Sequence, residues 1–152
     1  MLLLRGPMGA GKTTFTRALA RGMKVDAPEQ VCSPTYTVCM THPGRVPLVH
    51  LDLFRFGELG QGGPVSGGAF ESLGLAYDEL PPAGAVLVVE WSELWSDPPE
   101  DALTLELSAP SDEPGSRVLE VRATGPRSEA LLGRWGDALA AENRAEVPGE
   151  PR

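Results

Sequence analysis

The stretch GPMGAGKTT, residues 6–14, determines the fold of this 152-residue chain. Its first glycine is followed by four residues and then by Gly-Lys-Thr, which fits the pattern G-x-x-x-x-G-K-[ST] of a phosphate-binding loop. Glycines allow backbone conformations that turn successive N–H groups towards phosphate oxygens, and a helix beginning there adds the positive end of its dipole. Lys12 is expected to reach the β- and γ-phosphates, and the Thr13 hydroxyl to hold Mg²⁺. The predicted nucleotide-binding residues of the loop are Gly9, Ala10, Gly11, Lys12, Thr13 and Thr14.

The segments on both sides of this loop are those that a phosphate-binding loop requires. Before it, residues 2–4 form an apolar run that predicts a short buried strand. After it, small and apolar residues recur at the spacing of one helix face, which predicts an amphipathic helix. These residues are Phe15, Ala18, Leu19, Gly22 and Met23. The order strand, loop, helix favours a phosphate site over a surface turn with an incidental lysine.

Two further buried strands are predicted downstream, and each ends near a carboxylate. Along residues 47–54 the period of two places His50 and Asp52 on one face. Residues 85–90 are a continuous apolar run that stops on Glu90, which is typical of a central strand buried on both faces. In an open α/β sheet, strand ends face the ligand crevice. Both carboxylates are therefore candidates for acting on the metal ion and on water.

The remaining segments have weaker patterns. Residues 57–68 carry six glycines and predict a mobile loop, and residues 70–80 predict a short helix. Residues 104–108 and 117–123 alternate apolar and polar side chains, which predicts an antiparallel hairpin with one solvated face. Residues 128–142 predict a closing helix.

Strands and helices arranged around a phosphate-binding loop predict an α/β fold of the P-loop NTPase type. The expected architecture is a three-layer sandwich with a mostly parallel central sheet and an antiparallel hairpin near the C-terminus. A chain of 152 residues suits one compact domain, and we expect it over residues 1–142. Residues 143–152 have no apolar period and are predicted to be a disordered tail.

Charge is distributed unevenly along the chain, whose formal net charge is -8. Residues 1–55 hold seven Lys and Arg against three Asp and Glu, and residues 117–152 hold six of each kind. Residues 56–116 hold twelve acidic residues and no basic one. Such a segment repels a nucleic-acid backbone, which proteins bind through Lys and Arg. We therefore expect no direct DNA binding, and either a solvated acidic face or a contact with a basic protein surface.

The location of the protein is predicted from what the sequence lacks. The apolar opening LLL is too short for the core of a signal peptide, and no run approaches the length of a membrane span. Cys32 and Cys39 match no metal-ligand spacing and are expected to be reduced, buried thiols. We expect a cytoplasmic protein without membrane contact.

The molecule that accepts the phosphoryl group is predicted from residues 56–116. A small-molecule kinase is expected to close a lid with arginines over the transferring phosphate, but this segment contains no Lys or Arg. A GTPase is expected to carry an Asn-Lys-x-Asp motif, and its absence favours ATP over GTP. Water as the acceptor fits best, with a protein partner controlling the timing.

Four motifs in order, GPMGAGKTTFTRALA, SPTYTV, HLDLFR and VVEWSEL, resemble the TsaE (YjeE) family, bacterial ATPases of tRNA threonylcarbamoyladenosine biosynthesis. The four motifs together are far more specific than the loop alone. The resemblance implies an ATPase that works with the TsaD and TsaB proteins, which install threonylcarbamoyl on the adenosine next to the anticodon. Contact with tRNA is then expected only through these partners.

The resemblance also implies roles for single residues. Thr35 of SPTY would lie in a switch-like loop near the γ-phosphate, and Trp91 would contribute to nucleotide binding beside Glu90, the Walker B type carboxylate. Asp52 would assist the metal ion or the water. His50 is expected to be a structural histidine that is hydrogen-bonded and chemically idle. The predicted catalytic residues are Lys12, Thr35, Asp52 and Glu90, and the predicted metal ligands are Thr13, Asp52 and Glu90.

Two features depart from the family pattern. Family members carry an additional N-terminal segment before the first strand, whereas here the strand follows Met1 directly. We expect either a misassigned start codon or an incomplete base pocket. The glycine-rich loop 57–68 is also longer than usual. Two alternatives stay open. The GAGKTT turn suggests a small nucleoside or metabolite kinase, and a short N-terminus that impairs catalysis would favour a non-hydrolysing, ATP-gated binding module.

Overall fold

The strand and the helix predicted around residues 6–14 are both present in the computed structural model, which describes residues 1–58, 65–72, 80, 83–110 and 115–145. The elements are β1 (Leu2–Arg5), α1 (Lys12–Met23), β2 (Cys39–His42), β3 (Leu48–Asp52), α2 (Phe54–Glu58), α3 (Gly67–Ser72), β4 (Val86–Glu90), β5 (Leu103–Ser108), β6 (Val118–Ala123) and α4 (Pro126–Ala145). Short 3₁₀ turns lie at Pro28–Gln30 and Ser92–Leu94.

The described strands form one sheet in the order β2-β3-β4-β1-β5-β6. The four inner strands are parallel to their inner neighbours, whereas the edge strands β2 and β6 pair antiparallel with β3 and β5. The predicted mostly parallel sheet and C-terminal hairpin are confirmed. The antiparallel direction of β2 follows from the short connection to β3, residues 43–47, because parallel strands need a much longer crossover.

Two apolar cores cover the two faces of this sheet. On one face, Leu4 and Leu105 are fully buried under α1 and α4, which contribute Phe15 and Trp135. On the other face, Phe70 of α3 is fully buried among strand residues and packs on the ring of Trp95. Burying a large apolar side chain stabilises a fold by about 1.5–3 kcal/mol. The arrangement confirms the three-layer α/β sandwich.

The sheet order places the phosphate-binding loop beside the two strand-end carboxylates. The loop leaves the carboxyl end of β1, which pairs with β4, and β4 pairs with β3. Asp52 and Glu90 are register partners at the ends of β3 and β4. As predicted, His50 and Asp52 share a strand face opposite Val49 and Leu51, which belong to the other core.

Several predicted boundaries and faces are wrong. Helix α3 begins at Gly67 instead of residue 70, and α2 ends at Glu58, so both ends of the predicted loop 57–68 are helical. Val65 also forms a bridge with Trp95. Within α1, Ala18 and Gly22 are exposed, whereas Thr16 and Ala20 are buried, since the packed face is rotated relative to the predicted one. The middle of that loop, residues 59–64, and residues 73–79 of the predicted helix 70–80 lie outside the described residues.

Two smaller predictions also differ from the structure. Cys32 is exposed and Cys39 half-buried, and both thiols are free. Cys32 lies in the loop before β2 rather than in a core, so the expectation of a buried thiol is wrong there. Helix α4 continues to Ala145, three residues into the predicted tail, and residues 146–152 lie outside the described part. No helix in the described part of the chain is long and apolar enough to cross a bilayer.

Candidate functional site

Gly6 starts the phosphate-binding loop, and its position requires a glycine for two reasons. Its φ is 127°, a left-handed value that side chains disfavour. A Cβ on this residue would also overlap the carbonyl oxygen of Leu107 on β5. At the other end of the loop, Gly11 has a φ of 107° and caps α1. The loop therefore packs on the sheet while the first turn of α1 keeps its N–H groups free of intrahelical partners.

Lys12 is the cation of this loop, and its side chain lies inside the site. It is 5% exposed and donates hydrogen bonds from Nζ to the carbonyl oxygens of Gly6, at 2.5 Å, and Pro7, at 3.0 Å. Nζ also lies 3.7 Å from the centroid of the Trp91 ring. A cation over an aromatic face is attracted by the ring quadrupole, so Trp91 helps to hold the ammonium group.

Burial lowers the pKa of Lys12 below its ordinary value of 10.5. The carboxylates of Glu93, Glu90 and Asp52 act in the opposite direction, in that order of strength, because they favour the charged ammonium. The lysine thus faces a site in which the local negative charge offsets only part of the cost of desolvation.

Trp91 follows β4 directly and has an unusual backbone conformation. Its φ is 58°, a value that is a genuine outlier for a bulky residue. This conformation ends the strand and starts the 3₁₀ turn Ser92–Leu94. The ring packs against Phe54 at a centroid distance of 4.9 Å. Backbone strain of this kind clusters at functional sites, where the surrounding structure holds the residue in the strained conformation.

Glu90 is held by hydrogen bonds to both of its carboxylate oxygens. Oε2 accepts a hydrogen bond from the Thr13 hydroxyl at 2.9 Å, and Oε1 lies 2.8 Å from Nε2 of His50. Glu90 is 2% exposed and His50 is completely buried. The carboxylate therefore links the first turn of α1 to the centre of β3.

Asp52 is also held on both oxygens, but by different partners. Oδ2 accepts hydrogen bonds from the hydroxyls of Ser33 and Thr35, the latter at 2.7 Å. Oδ1 accepts the backbone N–H of Phe54 at 2.9 Å. The two hydroxyl oxygens lie 2.7 Å from each other, and because each hydroxyl has one hydrogen, this contact is a hydrogen bond only when one of them does not donate to Oδ2. Asp52 therefore fastens the loop that carries Thr35 to the end of β3.

These groups surround a cleft of about 350 Å³. It brings together most of the predicted site residues, namely Gly9, Gly11, Lys12, Thr13, Thr14, Thr35, Asp52, Glu90 and Trp91. Ala10 does not line it, since its side chain is buried on the opposite side of the loop. There a second cavity, of about 410 Å³, shares Gly9, Gly11 and Thr14 with the cleft. Phe15, Leu107, Arg117, Val118 and Leu119 also line it.

The sequence prediction missed three residues at the site. Met8, Ser33 and Phe54 line the cleft. Each lies within two residues of a predicted site residue, and that proximity was the signal available. His50, expected to be hydrogen-bonded and chemically idle, is hydrogen-bonded to Glu90, a partner that the sequence did not indicate. Its contact depends on strand pairing, for which the sequence carries no local signal.

The site has the chemistry of a magnesium site that is completed by phosphate oxygens. Thr13 and Glu90 provide hard oxygen atoms that converge to 2.9 Å, and Mg²⁺ prefers such ligands. Among the described residues, no group of three or more His, Cys, Asp or Glu side chains could hold a metal ion. Protein sites for Mg²⁺ commonly use one or two carboxylates together with substrate phosphates, so the residues fit this ion.

Comparison with known proteins identifies the family. Residues 1–118 match the family model "Threonylcarbamoyl adenosine biosynthesis protein TsaE". The chain belongs to the TsaE family. The tRNA threonylcarbamoyladenosine biosynthesis protein TsaE of Streptomyces coelicolor is 34% identical over 91% of this chain and 84% of its own length. That of Bacillus subtilis is 32% identical over 86% of this chain and 74% of its own.

A solved structure agrees with this assignment. The crystal structure of Bacillus subtilis YdiB superposes with a TM-score of 0.62 at 27% identity. The match covers 90% of this chain and 76% of that chain. The TsaE resemblance and the α/β fold expected from the sequence are both confirmed.

Proposed function

We propose that this TsaE-family chain hydrolyses ATP in complex with the TsaD and TsaB proteins, and thereby supports the threonylcarbamoyladenosine modification of tRNA. The observation that carries the proposal is the hydrogen bond between Thr13 and Glu90. It joins the phosphate-binding loop to a buried strand-end carboxylate in the same cleft that contains Lys12. A hydrolase needs these groups together, because catalysis of phosphoryl transfer is mainly positioning and charge stabilisation.

The loop residues would hold the phosphates of ATP. The N–H groups at the start of α1 and the helix dipole favour a phosphate there. Lys12 would exchange its hydrogen bonds to the loop carbonyls for the β- and γ-phosphate oxygens. Trp91 would limit the positions of this ammonium group, since its ring lies directly beside Nζ.

Thr13 and Glu90 would hold Mg²⁺, directly or through its water ligands, and Asp52 remains a predicted additional ligand. Bound there, the ion would neutralise phosphate charge. Thr35 shares the Oδ2 atom of Asp52 with Ser33, so Asp52 would orient the loop that faces the γ-phosphate. Glu90 and Asp52 would together position the attacking water, and a water molecule in place of a hydroxyl substrate makes the reaction a hydrolysis.

The second cavity would receive the base and the ribose of the nucleotide. It adjoins the cleft at Gly11 and Thr14, which line both cavities. The apolar side chains of Phe15 and Val118 flank it. Ligand sites commonly combine such apolar walls with a few polar groups. This placement would make the hairpin β5–β6 part of the nucleotide site.

The composition of the cleft favours water over a small-molecule acceptor. Among the described residues lining it, Lys12 is the single Lys or Arg. Arg55, the nearest arginine in sequence to Asp52, donates instead to the carbonyl oxygen of Tyr36 at 2.7 Å. A kinase would be expected to bring arginines to the transferring phosphate.

Two exposed side chains beside the cleft support a protein partner there. Met8, on the cleft wall, is 72% exposed, and Tyr36, next to Thr35, is 88% exposed. Tyr and Met are both enriched in protein interfaces. A TsaD–TsaB pair docked on them would be able to control hydrolysis, and contact with tRNA would then run through these partners in the cytoplasm.

Following the fate of the γ-phosphate tests the proposal. The chain, with TsaD and TsaB, is incubated with Mg²⁺ and ATP labelled in its γ-phosphate, with and without a panel of nucleoside and metabolite hydroxyl acceptors. We expect all label to appear as inorganic phosphate, and equally so in both conditions. Label on an acceptor would establish a kinase, and bound ATP without any released phosphate would establish a non-hydrolysing module.

A further inference from the structure

His50 is a buried polar side chain to which the proposed hydrolysis assigns no role. It lies on β3, each of whose residues is buried, and is itself 0% exposed. Its register partner on β4 is Val88, and Glu90 lies two residues further along that strand. The ring therefore points along the strand direction, and Nε2 comes within 2.8 Å of Oε1 of Glu90.

The chemistry of the two groups fixes the direction of this hydrogen bond. An ionised carboxylate only accepts, so Nε2 must carry the hydrogen. A carboxylate so deep in the protein needs such donors, because an unpaired buried charge is costly. Glu90 then has Oε1 committed to His50, and only Oε2 remains to face Thr13.

We propose that His50 is a positioning residue, whose Nε2–H holds the carboxylate of Glu90 so that Oε2 points at the Thr13 hydroxyl and the cleft. The proposal rests on the proposed hydrolysis for its kinetic consequence, but not for its geometry. Outer partners of this kind fix the orientation of groups that contact a metal ion, and their loss typically lowers metal affinity or activity by about 10–100-fold.

The geometric part is tested on the unaltered protein by ¹⁵N NMR of the histidine rings. We expect the shifts of a His50 ring that carries a hydrogen at Nε2. Replacement of Glu90 in Glu90→Gln should move these resonances more than those of His42, whose ring centroid is 6.1 Å from that of His50. A ring that carries no hydrogen at Nε2, or one whose resonances are insensitive to Glu90→Gln, would overturn the proposal without any measurement of hydrolysis.

The kinetic part uses two variants and a matched control. His50→Leu removes the donor, and we expect kcat to fall about 10–100-fold while the Kd for ATP stays unchanged. His50→Gln returns an N–H donor near the position of Nε2 and should recover much of kcat. His42→Leu, a substitution of the neighbouring buried histidine, should leave kcat unchanged, since His42 does not contact Glu90.

A double-mutant cycle separates positioning from a merely structural role. If His50 acts through the carboxylate, His50→Leu should have little further effect in a Glu90→Gln background, because the group that it positions is already changed. Independent, multiplicative losses would overturn the proposal, as would equal losses in His50→Gln and His50→Leu. If the unaltered chain with its partners hydrolyses no ATP, the proposed function fails. The NMR of the histidine ring still tests whether Nε2 of His50 donates a hydrogen bond to Glu90.

Discussion

The ends of β3 and β4 carry equivalent carboxylates in different surroundings. Asp52 and Glu90 are register partners, and both are almost completely buried at the edge of the same cleft. Glu90 is bonded to a helix and to a buried strand through Thr13 and His50. Asp52 is bonded to a loop, through the hydroxyls of Ser33 and Thr35.

This difference indicates that the two carboxylates have different roles. The partners of Glu90 belong to regular elements, whose positions are fixed by the core, so its geometry is set before nucleotide binds. The side-chain partners of Asp52, Ser33 and Thr35, belong to a connecting segment, and such segments are drawn from the less stable parts of a fold. We infer that Glu90 acts on the metal ion and the water from a fixed position, whereas the contribution of Asp52 depends on the position of the Thr35 loop.

The largest effect is expected from Glu90→Gln. Removing the charge should lower kcat about 100–10,000-fold, the range over which a positioned acid or base contributes, while ATP still binds. Phosphate release and equilibrium binding measured on the same preparation check this. Glu106→Gln, which changes an exposed carboxylate near the end of β5, serves as the control. An unchanged kcat in Glu90→Gln would contradict the inferred difference in role between Glu90 and Asp52.

The next largest effect is expected from Lys12→Ala. A hydrogen bond to a charged group contributes about 1.5–3 kcal/mol, so the affinity for ATP should fall about 10–100-fold. Isothermal titration calorimetry measures the loss, and Arg21→Ala, on the exposed last turn of α1, controls for the change of net charge. Equal weakening by the two variants would show that the loop lysine has no specific role.

A smaller effect is expected from Asp52→Asn. Weakening its hydrogen bonds to the two hydroxyls should lower kcat about 10-fold, in line with the loss of about 1.5 kcal/mol. Amide hydrogen exchange at residues 33–37 should become faster, whereas exchange in β4 should not change. The double variant Ser33→Ala and Thr35→Ala should reproduce the faster exchange. Faster exchange in β4 as well as at residues 33–37 would contradict a role that depends on the loop.

The smallest effect concerns pH. Because burial lowers the pKa of Lys12, its ammonium group loses its proton at a lower pH than an exposed lysine, whose ordinary value is 10.5. The charge that attracts phosphate is present below the lowered pKa and is lost as pH rises through it. ATP affinity should therefore decline on the alkaline side at a pH below 10.5, and Lys12→Ala should abolish this decline. Calorimetric titrations over an alkaline pH series measure it.

Much of the fold was predictable, because its signals are local. Residues 6–14 carry a pattern whose glycines are required by positive φ angles and, at Gly6, by the lack of room for a Cβ. Apolar runs mark β1 and β4 as buried strands. The carboxylates Asp52 and Glu90 could be found for the same reason, since each ends a strand. The predicted start of the helix at residue 70 and the loop bounds 57–68 were less accurate, because Gly weakens the periodic signal there.

The part of the site that could not be predicted depends on contacts between distant segments. His50 meets Glu90 only because β3 and β4 pair in one register, which places residues 40 positions apart side by side. The contact of Lys12 with Trp91 likewise needs β1 beside β4 and a left-handed residue after the strand. A single sequence does not encode strand order in any local pattern.

Partner-controlled hydrolysis of ATP is tested most directly by ADP release at saturating ATP and Mg²⁺, measured for the chain alone and then with TsaD and TsaB. We predict slow turnover by the chain alone and a clear rise with both partners, which Glu90→Gln abolishes. ATP that binds but yields no ADP in either condition would contradict the central claim that this cleft is the site of a partner-controlled hydrolysis.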